Sequence, residues 1–339
     1  MNDVTLSADD LRELIAEALV RHNTAPDNAA LVAAALVAAE TDGQKGHGVS
    51  RVESYSAQSA SGKVDGHAVP SCEKVGAAAL RVDAAGGFSF PALDLAMREL
   101  IALTPATGIA VAAIHRSHHA GQMAAHVERL AEAGLVAIML ANTPKAMAPW
   151  GGGEGTFGTN PIAFAAPRQD SPPLVIDLSL SKVARGKMLV AAQKGEPIPD
   201  DWARDADGNP TTDAEAALQG TLLPIGDAKG AALALMVEVL AAAVSGAALA
   251  GEASSFFTGE GEPPGVGQLL IAIDPGSLSG GIFAERLETL IAAIEAQDGA
   301  RLPGTRRLDA RRRVAQEGLT IPQNQYEHLL EKAGRNREE

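Results

Sequence analysis

The sequence predicts an α/β protein in which a helical unit, built from both chain ends, sits beside a layer of strands and helices. Three observations carry this. Through about residue 60 the apolar side chains recur only at helical spacing. After Pro70, short strand-like runs alternate with helical ones. Beyond Pro303-Gly304 the chain returns to charged helices, expected to dock on the first ones. The expected division is therefore 1–74 and 300–339 for the helical unit and 75–299 for the α/β unit.

Taken in order, Ser7-Ala8-Asp9-Asp10 is a capping-box-like start with Asp in place of Glu, and Leu11, Leu14, Ile15 and Leu19 continue the helix. Asp27 opens a second helix through Leu31, Val32, Leu36 and Val37, ending near Thr41. A third is expected over 49–59, stopped by Gly62, Asp65 and Gly66, and no strand is evident in these first residues. Strands then follow at 79–82, 108–114 and 135–141, separated by helices at 91–103 and 121–133. Residues 142–161 lack periodicity, and a stretch of that length in a compact domain is usually a functional loop. Short strands at 162–166 and 174–176 precede a helix at 182–194 and a polar, turn-rich stretch over 195–219. A long Ala/Leu helix spans 228–243, a glycine-rich segment at 251–267 reads as a mobile loop, and a strand at 269–273 leads to a helix at 282–296. Helices at 308–316 and 323–332 close the chain.

Composition narrows the class. The 339 residues are 46% hydrophobic and 21% charged, which fits a soluble globular chain with a sizeable core. A net charge of −14 argues against nucleic acid or an anionic membrane as partner, so an anionic ligand needs local cations. Cys72 is the single cysteine, which excludes an intrachain disulfide. The acidic start, with Asp3, Asp9 and Asp10, is unlike a signal peptide, and Lys229, Glu238, Ser245 and Gly246 interrupt the longest apolar run. The expected place is the cytoplasm.

Five stretches could carry chemistry. Residues 42–51, DGQKGHGVSR, combine three glycines, His47, which can move a proton near neutral pH, and Arg51, which can grip a carboxylate through a planar fork. The alternative is a glycine-rich surface loop. Residues 153–158 match G-x-G-x-x-G, but a strand rather than a helix follows them, and Glu154 stands inside, so they are read as a decoy. Ser117-His118-His119-Ala120-Gly121-Gln122 lies between a strand and a helix start, a junction suited to nucleotide phosphates. A metal site using His115, His118 and His119 is the rival there, with an uncommon spacing and no nearby carboxylate, and a plain loop is the third reading. Asp177 to Ser181, followed by Arg185 and Lys187, places cations at a helix start, where an anionic ligand would explain them better than the helix dipole does. Lys229 is an isolated cation at the start of the long apolar helix. The basic run over 301–313 is read as a solvated helix face.

Together these motifs resemble the malate/L-lactate dehydrogenase family that is unrelated to the Rossmann-type lactate dehydrogenases, and which includes ureidoglycolate, sulfolactate, diketogulonate and cyclic imino acid oxidoreductases. The resemblance rests on GHGVSR (46–51), SHHAGQ (117–122), NTPKAMAPWGG (142–152), GTNPIAFAAP (158–167), DLSLSKVARGK (177–187), DADGNPTTD (205–213), LPIGDAKG (223–230) and LPGTRR (302–307). It implies a homodimeric enzyme dependent on NAD or NADP, with a non-Rossmann cofactor-binding sheet and a substrate bearing a carboxylate. It implies catalytic roles for His47 and His119, and substrate contacts for Arg51, with Arg185 and Lys187 as further candidates. It implies cofactor contacts at His119, Ala120, Gly121, Gln122, Met123, Thr143, Asp177, Leu178, Ser179, Lys229, Gly304 and Arg306, and no metal. Gly46 departs from the serine that most members carry, Lys187 stands near an acid of the imino-acid-reducing branch, and Leu180 stands where threonine is common. The expected reaction interconverts a 2-hydroxy acid and a 2-oxo acid. The alternatives are reduction of a cyclic imino acid such as pyrroline-2-carboxylate, a non-catalytic nucleotide-binding relative, and a metal hydrolase.

Overall fold

Ser7 starts the first helix as its sequence suggests: its hydroxyl accepts the Asp10 N–H at 3.0 Å and donates to the Asp10 carboxylate. In the computed structural model, which describes residues 3–335, strand β1 (Asp3–Leu6) precedes that helix, α1 (Ala8–Arg21). Helices α2 (Pro26–Thr41) and α3 (Val52–Ser61) complete the N-terminal part. The expected third helix starts three residues late because a 3-10 turn, Val49–Arg51, occupies its first residues, after another at Lys45–His47.

Strands β2 (Ser71–Gly76) and β3 (Ala79–Asp83) follow, then α4 (Ser89–Thr107), β4 (Ile109–Ser117), α5 (Ala124–Glu132) and β5 (Val136–Ala141). Helix α5 starts later than the sequence suggests, after Gly121 turns the chain with φ +64°. Next come β6 (Ile162–Ala166), β7 (Leu174–Leu178), α6 (Arg185–Lys194), β8 (Ala203–Arg204), α7 (Ala214–Gln219) and β9 (Thr221–Leu222). Helix α8 (Ala228–Glu238) runs on through a π-helical turn, Val239–Ala243. The chain ends with β10 (Val266–Ile273), α9 (Pro275–Ser279), α10 (Phe283–Glu295), α11 (Thr305–Glu317), β11 (Leu319–Pro322) and α12 (Gln323–Ala333).

The main sheet has seven strands in the order β2-β3-β4-β10-β5-β6-β7. Only β3 and β4 are parallel, and every other adjacent pair is antiparallel. Strand β10 fills the centre, with Leu270 opposite Ala112 of β4 and Met139 of β5. Alternation sorts the side chains between two faces. Ala110, Ala112, Ile114, Met139 and Leu270 pack with residues of α4 and α5, such as Leu93, Leu100, Val127 and Leu130. Val111, Ala113, Leu140 and Leu269 join Met188, Ala234 and Val237 of α6 and α8 on the other face. Small alanine side chains let these helices sit close to the sheet.

A third core joins the chain ends. Leu11, Ile15, Leu36 and Tyr55 pack with Leu319, Ile321, Leu329 and Leu330. Strand β1 pairs antiparallel with β11, Val4 opposite Ile321. Strands were not expected at either end, since each is four residues long and finds its partner more than 300 positions away.

The basic run is only in part the solvated face that its composition suggested: Arg301, Arg306, Arg312 and Arg313 are exposed, whereas Arg307 and Arg311 turn inward. Arg307 is buried and donates two bonds to Glu128, at 2.6 and 2.9 Å. Arg311, on the same face one turn later, bonds both Asp42 and Glu128. Gln122 donates to Asp42 at 2.7 Å. Burial alone would pull the Arg311 guanidinium down and push the Glu128 carboxyl up; the bonds between them reverse both shifts. The cluster ties α11 to the end of α2 and to the segment before α5, the two segments that carry the histidines.

Candidate active site

The loop over 42–51 is built around a buried acid. Glu40, near the end of α2, accepts the Val49 N–H at 3.0 Å. Burial raises its carboxyl above the ordinary range, against the pull of that bond and of Lys45. Glycine at position 48 leaves room for that carboxylate, since a Cβ there would lie 2.0 Å from the Glu40 Oε2 and would push it aside. Position 46 is different: nothing lies within 4 Å of an added Cβ. The Gly46 carbonyl accepts from Arg51 Nε at 2.7 Å, and the guanidinium lies 4.8 Å from the Phe257 ring centre. Both Nη groups of Arg51 make no bond among the described residues, so the outer edge of the fork is unspent. Burial pulls Arg51 below its ordinary value, with Tyr55 opposing weakly.

The structure brings His47 and His119 together. Their rings stack with centroids 5.2 Å apart and planes 22° from parallel. Burial, then the charge of Arg51, lowers His47 to about 4. Its Nδ1 is sealed from solvent and has no partner among the described residues. His119 is buried, its Nδ1 lies 2.6 Å from the Tyr55 hydroxyl, and Ser89 Oγ donates to its carbonyl at 2.6 Å. Burial first, then Arg51, His47 and His118, holds His119 well below the ordinary histidine value. His118 points elsewhere, with Nε2 3.0 Å from Gln58 Oε1, and burial lowers it to about 3. His115, the third histidine of the metal reading, lies back on β4, opposite Asp83 of β3.

The segment over 251–267, expected to be mobile, ends in β10, and its loop part is pinned over this corner. Lys63, itself buried, donates to the carbonyls of Ser255 and Thr258, and Gln58 to that of Phe256. The Phe256 ring then packs against His118 and His119, at 5.3 and 5.1 Å. The loop over 142–161 is held too: Asn142 and Asn160 both donate to the buried carboxylate of Glu238.

The remaining candidates fall into two groups. Some spend their side chains within the protein. Asp177 accepts the Ala124 N–H at 2.8 Å and so caps α5, which leaves that helix start occupied by a carboxylate rather than open to a phosphate as expected. Asp177 keeps a face toward solvent, yet the protein packed around it pushes its carboxyl up to about 6, against the bonds from Ala124 and Met123. Thr143 Oγ1 accepts the Thr159 N–H at 2.9 Å, and Ser179 bonds Ser181. Gln122 is committed to Asp42, the Ala120 carbonyl to His126, and the buried Met123 to the core. The others stay open. Leu178, Lys229 and Arg306 are exposed, and Lys229 has no side-chain partner among the described residues. Gly304, at φ +84°, brings the start of α11 against the Val175 carbonyl of β7. Arg185 donates to the Leu218 carbonyl of α7 and Lys187 is exposed on α6; no contact among the described residues joins either to His47, Arg51 or His119. The decoy motif is followed by Thr159 and β6, with no helix.

Sequence reading missed Tyr55, Gln58 and Phe256. A signal existed for Tyr55: it follows Arg51 by four residues, one helical turn, and is one of two tyrosines in the chain.

Known proteins resemble this chain over most of its length. (2R)-3-sulfolactate dehydrogenase (NADP(+)) of Chromohalobacter salexigens is 51% identical over 301 residues, 89% of this chain and 90% of its own. The Delta(1)-pyrroline-2-carboxylate/Delta(1)-piperideine-2-carboxylate reductase of Pseudomonas putida is 42% identical over 330 residues, 96% of both chains. The crystal structure of delta1-piperideine-2-carboxylate reductase from Pseudomonas syringae pv. tomato matches with a TM-score of 0.92 at 42% identity, covering 97% of this chain and 99% of that one. The class is thus an NAD(P)-dependent dehydrogenase or reductase of small carboxylates. The chain belongs to the malate/L-lactate dehydrogenase family, whose model matches residues 6–330.

Proposed function

We propose that this enzyme interconverts a small 2-hydroxy acid and its 2-oxo acid with NADP, on a substrate of the 3-sulfolactate kind. The observation that carries the reading is Arg51: Nε is anchored to the Gly46 carbonyl while both Nη groups are unspent beside His47. A planar fork held this way suits a carboxylate next to the reacting carbon. The relative at 51% identity supports the substrate class and NADP. The imino-acid reading lacks two of its residues, since position 46 is glycine and position 187 is lysine.

The cofactor fits on two features of this chain: Lys229 is an exposed cation with no acidic partner among the described residues, and His119 Nε2 makes no bond there. When bound, the nicotinamide supplies or accepts the hydride. Arg51 fixes the substrate carboxylate and so orients the adjacent carbon. His47, lowered to about 4, is neutral at pH 7 and can take the hydroxyl proton during oxidation. The substrate carboxylate neutralises Arg51, one of the two causes of that depression, and so raises His47 toward the range where it can carry a proton for reduction.

Assembly as a homodimer is supported by apolar side chains left exposed on α8 and the π-helical turn that extends it, among them Leu235, Met236 and Val239, and by Leu189 and Val190 on α6. The single half-buried Cys72 is in keeping with a cytoplasmic enzyme.

Two variants test the site. Arg51→Lys should raise KM for the 2-oxo acid and leave cofactor binding intact, because it keeps the charge and loses the fork. His47→Asn should lower kcat by about 10² to 10⁴-fold and remove a titration from the rate profile. Near-normal turnover by His47→Asn, with His119→Asn inactive, would move proton transfer to His119.

A further inference from the structure

Tyr55 is fully buried, and its hydroxyl contacts one hydrogen-bonding group among the described residues, His119 Nδ1. Three facts decide which way that bond runs. Burial holds the phenol well above its ordinary value, against the weaker pull of Arg51, so the hydroxyl keeps its hydrogen at any working pH. His119 is kept neutral by burial and by Arg51, His47 and His118, the charged or titratable groups around it besides Tyr55. A neutral imidazole carries one N–H. If that hydrogen sat on Nδ1, the phenol oxygen would have to accept it, and the phenol hydrogen would be left buried with no acceptor. With the hydrogen on Nε2, Tyr55 donates to Nδ1 and no buried donor is stranded.

We infer that Tyr55 is a positioning residue for the reaction proposed above, which this inference takes as given: its hydroxyl locks His119 in the Nε2–H tautomer. His119 then offers the reacting oxygen a neutral N–H donor and cannot pick up a proton at Nδ1 without stranding the phenol hydrogen. Proton cycling is left to His47, whose Nδ1 has no partner among the described residues to fix its tautomer. The stacked pair thus divides the work: one ring polarises the carbonyl and the other moves the proton. Ser89, on the His119 carbonyl, and Phe256, against its ring, hold the residue in place without touching its ring nitrogens.

The test reads the tautomer directly. In enzyme labelled with ¹⁵N-histidine, long-range ¹H–¹⁵N spectra should show His119 as Nε2–H in the wild type, without substrate and without any variant. Tyr55→Phe keeps the ring that packs on Phe88, Phe90 and His118 and removes only the hydroxyl. It should bring the Nδ1–H form into the spectrum, lower kcat about ten-fold, the worth of one hydrogen bond, and leave KM for the cofactor unchanged. An Nδ1–H signal in the wild type would overturn the inference, as would a Tyr55→Phe enzyme with the same spectrum and kcat. Should the spectra come out as expected while no 2-hydroxy acid or 2-oxo acid is turned over, the tautomer assignment stands and the proposed reaction falls.

Discussion

The charge cluster beneath α11 and the histidine row beside α3 are both buried polar regions, and they follow opposite rules. In the cluster, Asp42 and Glu128 face Arg307 and Arg311, so charges cancel where they sit, and Arg307 Nε alone of the cluster's cationic atoms has no partner among the described residues. In the row, no carboxylate among the described residues balances Arg51, and the Nδ1 atoms of His47 and His118 have no partner there. A burial that stabilises pairs its charges; a burial that awaits an anion leaves them unbalanced. Gln122 joins the two regions, since it leaves the His118-His119 segment to bond Asp42.

The largest expected effect tests the paired side. Arg307→Ala removes the two Arg307 bonds to Glu128 and leaves Arg311 as its one cationic partner beneath α11; losing one partner of a buried pair typically costs about 3 to 5 kcal/mol. Urea unfolding should show a loss on that scale. A change below about 1 kcal/mol would mean that the cluster is as soft as a surface salt bridge, and the contrast with the row would collapse.

An exposed, unpaired cation should behave in the reverse way. Lys229→Ala should leave unfolding within about 0.5 kcal/mol of wild type, while weakening NADP binding by about 1 to 3 kcal/mol, the scale of a lost charge-assisted hydrogen bond. Calorimetric titration with NADP checks it, and an unchanged Kd removes Lys229 from the cofactor site.

The smallest effect concerns acid. His47 and His126 are lowered to about 4 and His118 to about 3, all by burial first. Above the unfolded value near 6.5 they cost nothing. As pH falls below it, the unfolded chain takes up protons that the folded one refuses, so stability drops. Asp177, raised to about 6, works the other way, gaining stability as pH falls through 6, and offsets part of the loss. His126→Asn should therefore flatten the decline between pH 6 and 5 by about 1.4 kcal/mol per pH unit. An identical slope in the variant would show that His126 protonates in the folded state.

Much of the fold could be read from periodicity. Helices α1, α2 and α4 repeat their larger apolar side chains at helical spacing, strands β4, β5 and β6 are short continuous apolar runs, and neither pattern needs a partner to be recognised. What could not be read depends on a remote partner. Strands β1 and β11 are each too short to signal without the other. The run over 301–313 looks solvated until Asp42 and Glu128, far off in sequence, are placed beneath it. Glycines at 251–267 suggested motion, but Lys63 and Gln58 hold the carbonyls there, and backbone acceptors leave no trace in composition. In the site, His47 and Arg51 stood out through their loop, whereas Tyr55 lay hidden in an ordinary helix.

The position of β10 bears on how the molecule is made. Its eight residues complete the middle of the sheet, yet they come after nearly four-fifths of the chain. On the ribosome, β4 and β5 emerge first with their facing edges bare, and nothing nearer in sequence closes them. The sheet therefore stays in two halves until residues 266–273 arrive, a slow, long-range step during which open strand edges can pair with a wrong neighbour.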